Sequence, residues 1–168
     1  MKKLFVALML GLLALHISPA LADVSVTLTF PASDFSLSQK AGKGQTYDFA
    51  SLKGCSYTGS PGEPMMPFKT VYLAIPANEE PSGVVANVTT QSITGSYHIY
   101  PAQYPVAANG VEKVVVFTEP NGAYSANAAY PGTAAQCVHN GYLGGYKIVA
   151  VNVFPVQYNP VTQNVKTA

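Results

Sequence analysis

Proline and glycine residues separate the apolar runs of this chain, and their frequency limits what it can fold into. The 168 residues include 13 prolines and 14 glycines, and residues 59–67 alone read G-S-P-G-E-P-M-M-P. Proline lacks the backbone N–H that a helix interior or a central strand needs. We therefore predict that residues 59–67 form an extended crossing segment. No amphipathic helix longer than two turns stands out anywhere in the chain.

The short runs between these breaks have the periodicity of β-strands. In residues 24–30, Val, Leu and Phe alternate with Ser and Thr, which predicts a half-buried strand. Residues 147–154 read K-I-V-A-V-N-V-F, which predicts a central strand packed on both faces. Three further runs are predicted to be strands, the last of them after the turn signal Asn109-Gly110: residues 68–75, 84–90 and 113–118. The pattern predicts an all-β fold, a two-sheet antiparallel β-sandwich with extended Pro/Gly-rich connections.

The first 22 residues have the organisation of a secretory signal peptide. Lys2 and Lys3 precede an apolar run of about a dozen residues, and Ala20-Leu21-Ala22 is a small-x-small cleavage site. The run is shorter than the roughly 20 residues that span a bilayer, so we expect no membrane span after signal cleavage. Residues 1–22 are therefore predicted to be the signal peptide of a secreted, cell-surface or periplasmic protein. Residues 23–168 form the predicted domain.

The charge balance of residues 23–168 argues against nucleic acid as a partner. Removing Lys2 and Lys3 from the nine basic residues leaves seven lysines against eight carboxylates, a net charge near −1. Arginine is absent, so no guanidinium group can clamp a phosphate or carboxylate with two hydrogen bonds. A domain with this balance has no electrostatic attraction to a polyanion.

The chain offers little catalytic or metal-binding equipment. Cys137 and His139 stand two residues apart, a spacing that places both on one face of a strand, but no orienting carboxylate or oxyanion-hole motif lies nearby in sequence. The Cys and His residues lack the close spacing of a zinc site, and no nucleotide-binding motif is present. We therefore expect no catalytic residue, no metal and no cofactor. An oxidising compartment would allow Cys55 and Cys137 to form a disulfide, and the sequence leaves open whether they do.

Three segments of the chain together resemble the N-terminal propeptide of gingipain-type cysteine peptidases, peptidase family C25. They are residues 62–67 (G-E-P-M-M-P), 100–105 (Y-P-A-Q-Y-P) and 147–160, which end in P-V-Q-Y-N-P. The resemblance implies a non-catalytic prodomain that inhibits a downstream catalytic domain and assists its folding. The catalytic His and Cys of such a peptidase do not match Cys137 and His139. The chain stops at Ala168, where the resemblance implies that a further strand would begin. We therefore expect a domain truncated at its C-terminal end, as a fragment of a longer precursor, the product of a truncated gene or a stand-alone prodomain-like protein.

The resemblance also implies a partner, the catalytic domain of a C25 cysteine peptidase, in cis or in trans. A prodomain can block such an enzyme by placing one side chain in its specificity pocket. If the enzyme prefers basic residues, Lys40 and Lys43 in the glycine-containing stretch 39–45 are the best candidates, followed by Lys53. The alternative function is a secreted adhesion or carbohydrate-binding module. Five tyrosines would then line a sugar-binding face: Tyr97, Tyr100, Tyr104, Tyr142 and Tyr146.

Overall fold

The computed structural model describes residues 24–81, 83–105 and 116–168. Within these residues the regular elements are strands and two short 3-10 turns, Ala32–Asp34 and Gly122–Ser125, and no α-helix occurs. The strands are β1 (Phe35–Gly42), β2 (Gln45–Leu52), β3 (Ser56–Thr58), β4 (Met66–Ile75), β5 (Gln91–Ile93), β6 (Ala135–Leu143), β7 (Tyr146–Val153), β8 (Val156–Asn159) and β9 (Asn164–Thr167).

The strands form three antiparallel sheets. β1 and β2 make a hairpin of two strands, β3-β4-β7-β6 make a sheet of four, and β5-β9-β8 make a sheet of three. The predicted all-β, antiparallel class is confirmed. The prediction of a sandwich of two sheets is not, because the described strands divide into three sheets.

Strand β7 is the central strand that the sequence predicts. It pairs with β4 on one side, from Lys69 opposite Val153 to Ile75 opposite Lys147, and with β6 on the other. Gly144 and Gly145 connect β6 to β7, and both have positive φ, 56° and 85°. A two-residue turn with positive φ at both positions matches the twist of the strands it joins, and glycine adopts it without steric cost.

The main apolar cluster lies where β2, β4, β8 and β9 approach the segment around residue 99. Its seven members are at most 4% exposed, and they are Ala50, Leu52, Met66, Ile99, Val156, Tyr158 and Val165. Phe30, Phe35 and Leu37 pack against its rim. The cluster therefore joins residues that are up to 115 positions apart in the chain, Ala50 to Val165.

Two predicted strands do not form, and among the described residues neither stretch pairs with another strand. Residues 24–30 are irregular and mostly exposed, although Phe30 packs at the edge of the core. Residues 84–90 are fully irregular and exposed, and strand structure begins only at Gln91, opposite Thr167 of β9. An alternating sequence gives a strand one apolar face, but a strand also needs a hydrogen-bonding partner for its backbone groups.

Some predictions fall on residues outside the described ranges. These are the signal peptide 1–22, the Asn109-Gly110 turn and most of the strand 113–118, of which the described residues 116–118 are irregular. Across the described ranges no helix is long and apolar enough to cross a membrane.

Candidate functional site

The first two sequence motifs, residues 62–67 and 100–105, lie side by side. Pro64 and Pro101 form an antiparallel bridge. The amide of Met65 donates to the carbonyl of Tyr100 at 2.9 Å, and the amide of Ala102 donates to the carbonyl of Glu63 at 2.8 Å. The prolines, which cannot donate, therefore alternate with residues that supply the ladder bonds.

The third motif joins the first through Tyr130. The amide and carbonyl of Tyr130 bond those of Tyr158 in β8, at 2.7 and 2.9 Å. The Tyr130 hydroxyl donates to the Glu63 carboxylate at 2.9 Å, which also accepts the Ser60 amide at 2.9 Å. Through Tyr130, Glu63 thus connects the segment before β4 to Tyr158 of the third motif.

A series of aromatic contacts holds the second motif to the β1–β2 hairpin. The Tyr47 ring lies 4.7 Å from His98, 5.8 Å from Tyr100 and 5.7 Å from Phe117, measured between centroids. Asp48 bonds the same segment, because its carboxylate accepts the His98 amide at 2.8 Å. Tyr47 is 1% exposed, so this aromatic packing is a second buried contact region beside the main cluster.

Tyr124 also contacts the segment that contains the second motif. Its hydroxyl donates to the Ile99 carbonyl at 2.6 Å, and its ring contacts His98 and Tyr158 edge-on. Burial raises the pKa of Tyr124 far above its usual range, and neighbouring tyrosines add to the shift. The phenol therefore stays neutral and keeps donating its proton to the carbonyl.

The three candidate lysines lie in or beside the β1–β2 hairpin, in different surroundings. The Lys40 ammonium stands 3.5 Å from the centroid of the Phe49 ring and 5.3 Å from that of Tyr100. Lys43 is at the hairpin turn and forms a 2.6 Å ion pair with Glu119, which raises the lysine pKa through a hydrogen bond and charge attraction. Lys53 is exposed in the turn after β2. Among the described residues it has neither an ion pair nor a ring partner.

The structure does not bring all three lysines to one point. Lys43 precedes β2 and Lys53 follows it, so the eight residues of that strand separate them. At roughly 3.4 Å per residue the separation is about 27 Å. Only one of these two side chains can therefore enter a given pocket.

The structure does not bring Cys55 and Cys137 together, and both thiols are free. Cys55 directly precedes β3, while Cys137 lies in β6, at the opposite edge of the four-stranded sheet. Three strand spacings separate these edges by about 14 Å. A disulfide needs Cα atoms within roughly 7 Å, so this pairing is excluded by the sheet order.

Cys137 and His139 do not share a face, contrary to the prediction. Cys137 pairs with Val151 and His139 pairs with Ala150, its immediate neighbour in β7. Val138 is therefore the extra residue of a β-bulge, which turns the two side chains to opposite sides of the sheet. Among the described residues no three His, Cys, Asp or Glu side chains are close enough to hold a metal ion.

The five tyrosines of the carbohydrate-binding alternative do not form one platform. Tyr100 is part of the aromatic packing on Tyr47, and the Tyr97 hydroxyl donates to the nearby Thr94 carbonyl. Tyr142 lies opposite Lys147 and Tyr146 lies opposite Leu143, so successive pairs of this hairpin place the two tyrosines on opposite faces. A flat sugar-binding surface needs its aromatic rings on the same side.

Sequence reasoning missed Lys147, the buried lysine of β7. It is 3% exposed, its ammonium pairs with the Glu80 carboxylate, and it donates to the Glu79 carbonyl at 2.6 Å. These contacts fasten the loop after β4 over the end of the sheet. A charged residue at the start of an apolar strand, with two glutamates in a nearby turn, is the signal that could have indicated the pair.

Glu63 makes stability depend on pH. Partial burial raises the pKa of its carboxyl, but hydrogen bonds from Ser60 and Tyr130 outweigh burial and lower the pKa below its usual 4.5. A lowered folded-state pKa stabilises the protein above the unfolded-state value and loses that effect as pH falls through the folded-state value. We expect Glu63→Gln to show a shallower loss of stability in acid than the unaltered protein.

This prediction is checked by urea unfolding at several values from about pH 7 to about pH 3. Glu119→Gln is the matched control, because Glu119 is an exposed carboxylate with a surface ion pair. Parallel acid profiles for Glu63→Gln and the unaltered protein would contradict the assignment.

The comparisons with known proteins agree with the three motifs. The profile of the C25 propeptide family, described as Propeptide_C25, matches residues 19–168. Lys-gingipain and Lys-gingipain W83 of Porphyromonas gingivalis are each 26% identical over 142 residues, 82% of this chain. Those 142 residues are 8% of the length of each relative.

Two solved structures share the fold. One is a structure of gingipain K from Porphyromonas gingivalis, concerned with its zymogenic latency, with a TM-score of 0.66, 26% identity, and coverage of 79% of this chain and 75% of that chain. The other is a complex of the pro- and mature domains of RgpB from the same organism, with a TM-score of 0.70, 16% identity, and coverage of 80% and 70%. The fold is thus that of a peptidase prodomain.

The chain belongs to the C25 propeptide family. The match is to the propeptide domain of C25 peptidases and not to their catalytic domain.

Proposed function

We propose that this domain inhibits the catalytic domain of a C25 cysteine peptidase and assists its folding, in cis or in trans. The family match over residues 19–168 is the observation that carries the proposal. The gingipain K structure, which is 26% identical and concerns zymogenic latency, supports it further. The catalytic domain would be encoded downstream or supplied as a separate chain.

The proposal includes export through the leader 1–22, which has the charge, length and cleavage site of a signal peptide. Export would place the prodomain where a secreted peptidase has to be restrained until it is released. The N-terminal sequence of the exported protein tests this point, and a chain that begins at Asp23 is expected.

The inhibitory step assigned to the lysines is occupation of a specificity pocket by an ammonium group. Lys43 would give up only a solvent-exposed ion pair with Glu119, and such pairs contribute little to stability. Lys53 would give up no such contact among the described residues. Lys40 would have to leave the Phe49 ring, so it is the least available of the three.

The direct test of inhibition uses the catalytic domain of Lys-gingipain from Porphyromonas gingivalis as the probe enzyme. Its hydrolysis of a chromogenic peptide is measured while the purified protein is added. We expect activity to fall in proportion to added protein and to recover when the prodomain is digested. Unchanged activity at a large molar excess would contradict the proposed function.

A further inference from the structure

One face of the four-stranded sheet presents large apolar side chains to solvent. Strand register places Tyr72 opposite Ala150, Ala74 opposite Ile148, and Leu143 opposite Tyr146. Directly opposed residues stand on the same side of a sheet, and alternate residues of one strand do too. Tyr72, Leu143, Tyr146 and Ile148 therefore form one continuous surface across β4, β6 and β7, which we call the aromatic face.

The aromatic face is exposed to an unusual degree. Tyr72 is 72% exposed, Leu143 72% and Tyr146 69%. On the opposite side of the sheet, Lys147, Val149 and Val151 of β7 are at most 4% exposed, whereas Lys69 of β4 and Tyr142 of β6 are exposed. The aromatic face differs from the buried stretch of β7 because its three large side chains are exposed together.

The aromatic face carries His139, which lies opposite Ala150, but neither of the two lysines of these strands. Lys69 and Lys147 have registers that place them on the opposite side. No other lysine, aspartate or glutamate occurs in β4, β6 or β7. Exposed aromatic residues with no lysine, aspartate or glutamate beside them on the described strands are the composition of the core of a protein–protein interface, and not that of an ordinary solvated surface.

The size of the face decides between a second copy and a tethered partner. Three strands about 4.8 Å apart and five residues at about 3.4 Å cover roughly 14 by 17 Å, about 240 Å². A stable interface between free proteins needs about 800 Å² on each partner. A second copy held only by this face would therefore dissociate. A partner that is also held by other contacts or by a linker would bind more tightly because of the additional contact with this face.

We propose that the aromatic face is a docking site for an uncharged, apolar surface of the C25 catalytic domain. This inference rests on the proposed function and adds to it a second point of attachment. The candidate lysines belong to the β1–β2 hairpin, which is a separate sheet. The face would hold the two domains together by apolar burial, while the pocket-filling side chain blocks the substrate site.

The test compares the inhibition constants of three proteins for the Lys-gingipain catalytic domain. They are the unaltered protein, the double variant Tyr72→Thr/Tyr146→Thr and the control Tyr142→Thr. Threonine keeps the preference for strand structure. Tyr142 lies in the same hairpin, is 67% exposed and stands on the opposite face, so it matches Tyr146 in residue type and exposure but not in direction.

We expect inhibition by the double variant to be weaker by about tenfold or more, and that by the control to stay within about twofold. The weakening should be the same at low and high salt, because salt screens charges and the replaced tyrosine side chains carry none. Urea midpoints of all three proteins should agree, since the replaced side chains are about two-thirds exposed or more.

Several outcomes would overturn the inference. If the unaltered protein inhibits and the double variant inhibits equally well, the face is not used although the proposed function stands. If the unaltered protein does not inhibit, the proposed function fails and this inference fails with it. A dimer in sedimentation that the double substitution disperses, or glycan binding that it abolishes, would assign the face to a second copy or to a carbohydrate.

Discussion

Replacing Tyr158 with alanine should lower the free energy of unfolding by about 3 to 5 kcal/mol, the range for a large aromatic residue removed from a core. Tyr158 is fully buried, and its hydroxyl donates to the Tyr97 carbonyl at 2.9 Å. Its backbone pairs with Tyr130 and its ring contacts Tyr124. A domain of this size has a total stability of about 5 to 15 kcal/mol, so the loss would remove a large share of it.

The conservative change Tyr158→Phe separates the hydroxyl from the ring. It keeps the packing and removes one hydrogen bond, so we expect a loss of about 1 kcal/mol. Tyr142→Ala is the control, because Tyr142 is 67% exposed and should change stability by less than about 1 kcal/mol. Urea unfolding measures all three. Equal midpoints for Tyr158→Ala and Tyr142→Ala would contradict the placement of Tyr158 at the centre of the core.

Replacing Lys40, Lys43 and Lys53 together with alanine should weaken inhibition of a lysine-preferring C25 catalytic domain by about 30-fold or more. Removing one partner of a buried, hydrogen-bonded charge pair costs at least about 2 kcal/mol, which corresponds to that factor. Because about 27 Å of strand separates Lys43 from Lys53, one single substitution should account for most of the effect. Lys43 and Lys53 are the leading candidates, since Lys40 lies against Phe49.

Lys166→Ala is the matched control for this experiment. Lys166 is an exposed lysine of β9, in a different sheet from the hairpin. Inhibition should be unchanged in this variant, and the urea midpoints of all variants should agree. If the triple variant inhibits as well as the unaltered protein, the lysine assignment is wrong and the blocking residue lies elsewhere in the chain.

Local sequence patterns correctly predicted the strands whose backbone groups pair with an adjacent strand. β4 and β7 appear where β-branched runs end at Pro76 and Pro155, and both are paired along most of their length. Residues 24–30 have an equally clear alternation, but no described strand pairs with them and they are irregular. Periodicity describes one face of a strand, whereas strand formation also depends on a neighbouring strand, which for β4 is about 80 residues away in sequence.

The site was less predictable than the fold because it depends on sheet order and on a single bulge. Nothing in the spacing of Cys55 and Cys137 indicates that they lie at opposite edges of one sheet. The extra residue Val138 reverses the expected orientation of His139, and a bulge of one residue leaves no clear mark in composition. The three family motifs were the better guide, because they meet through Glu63, Tyr100 and Tyr158.

The most direct measurement of the central claim is a calorimetric titration of this protein into a C25 catalytic domain whose active-site cysteine has been replaced. The inactive enzyme cannot digest the prodomain, so the heat reports binding alone. We predict saturation at one prodomain per catalytic domain, with a dissociation constant in the micromolar range or below and a negative heat-capacity change from apolar burial. Absence of saturable heat at concentrations of about 100 μM, with both proteins folded, would contradict the assignment of this domain as a peptidase-restraining prodomain.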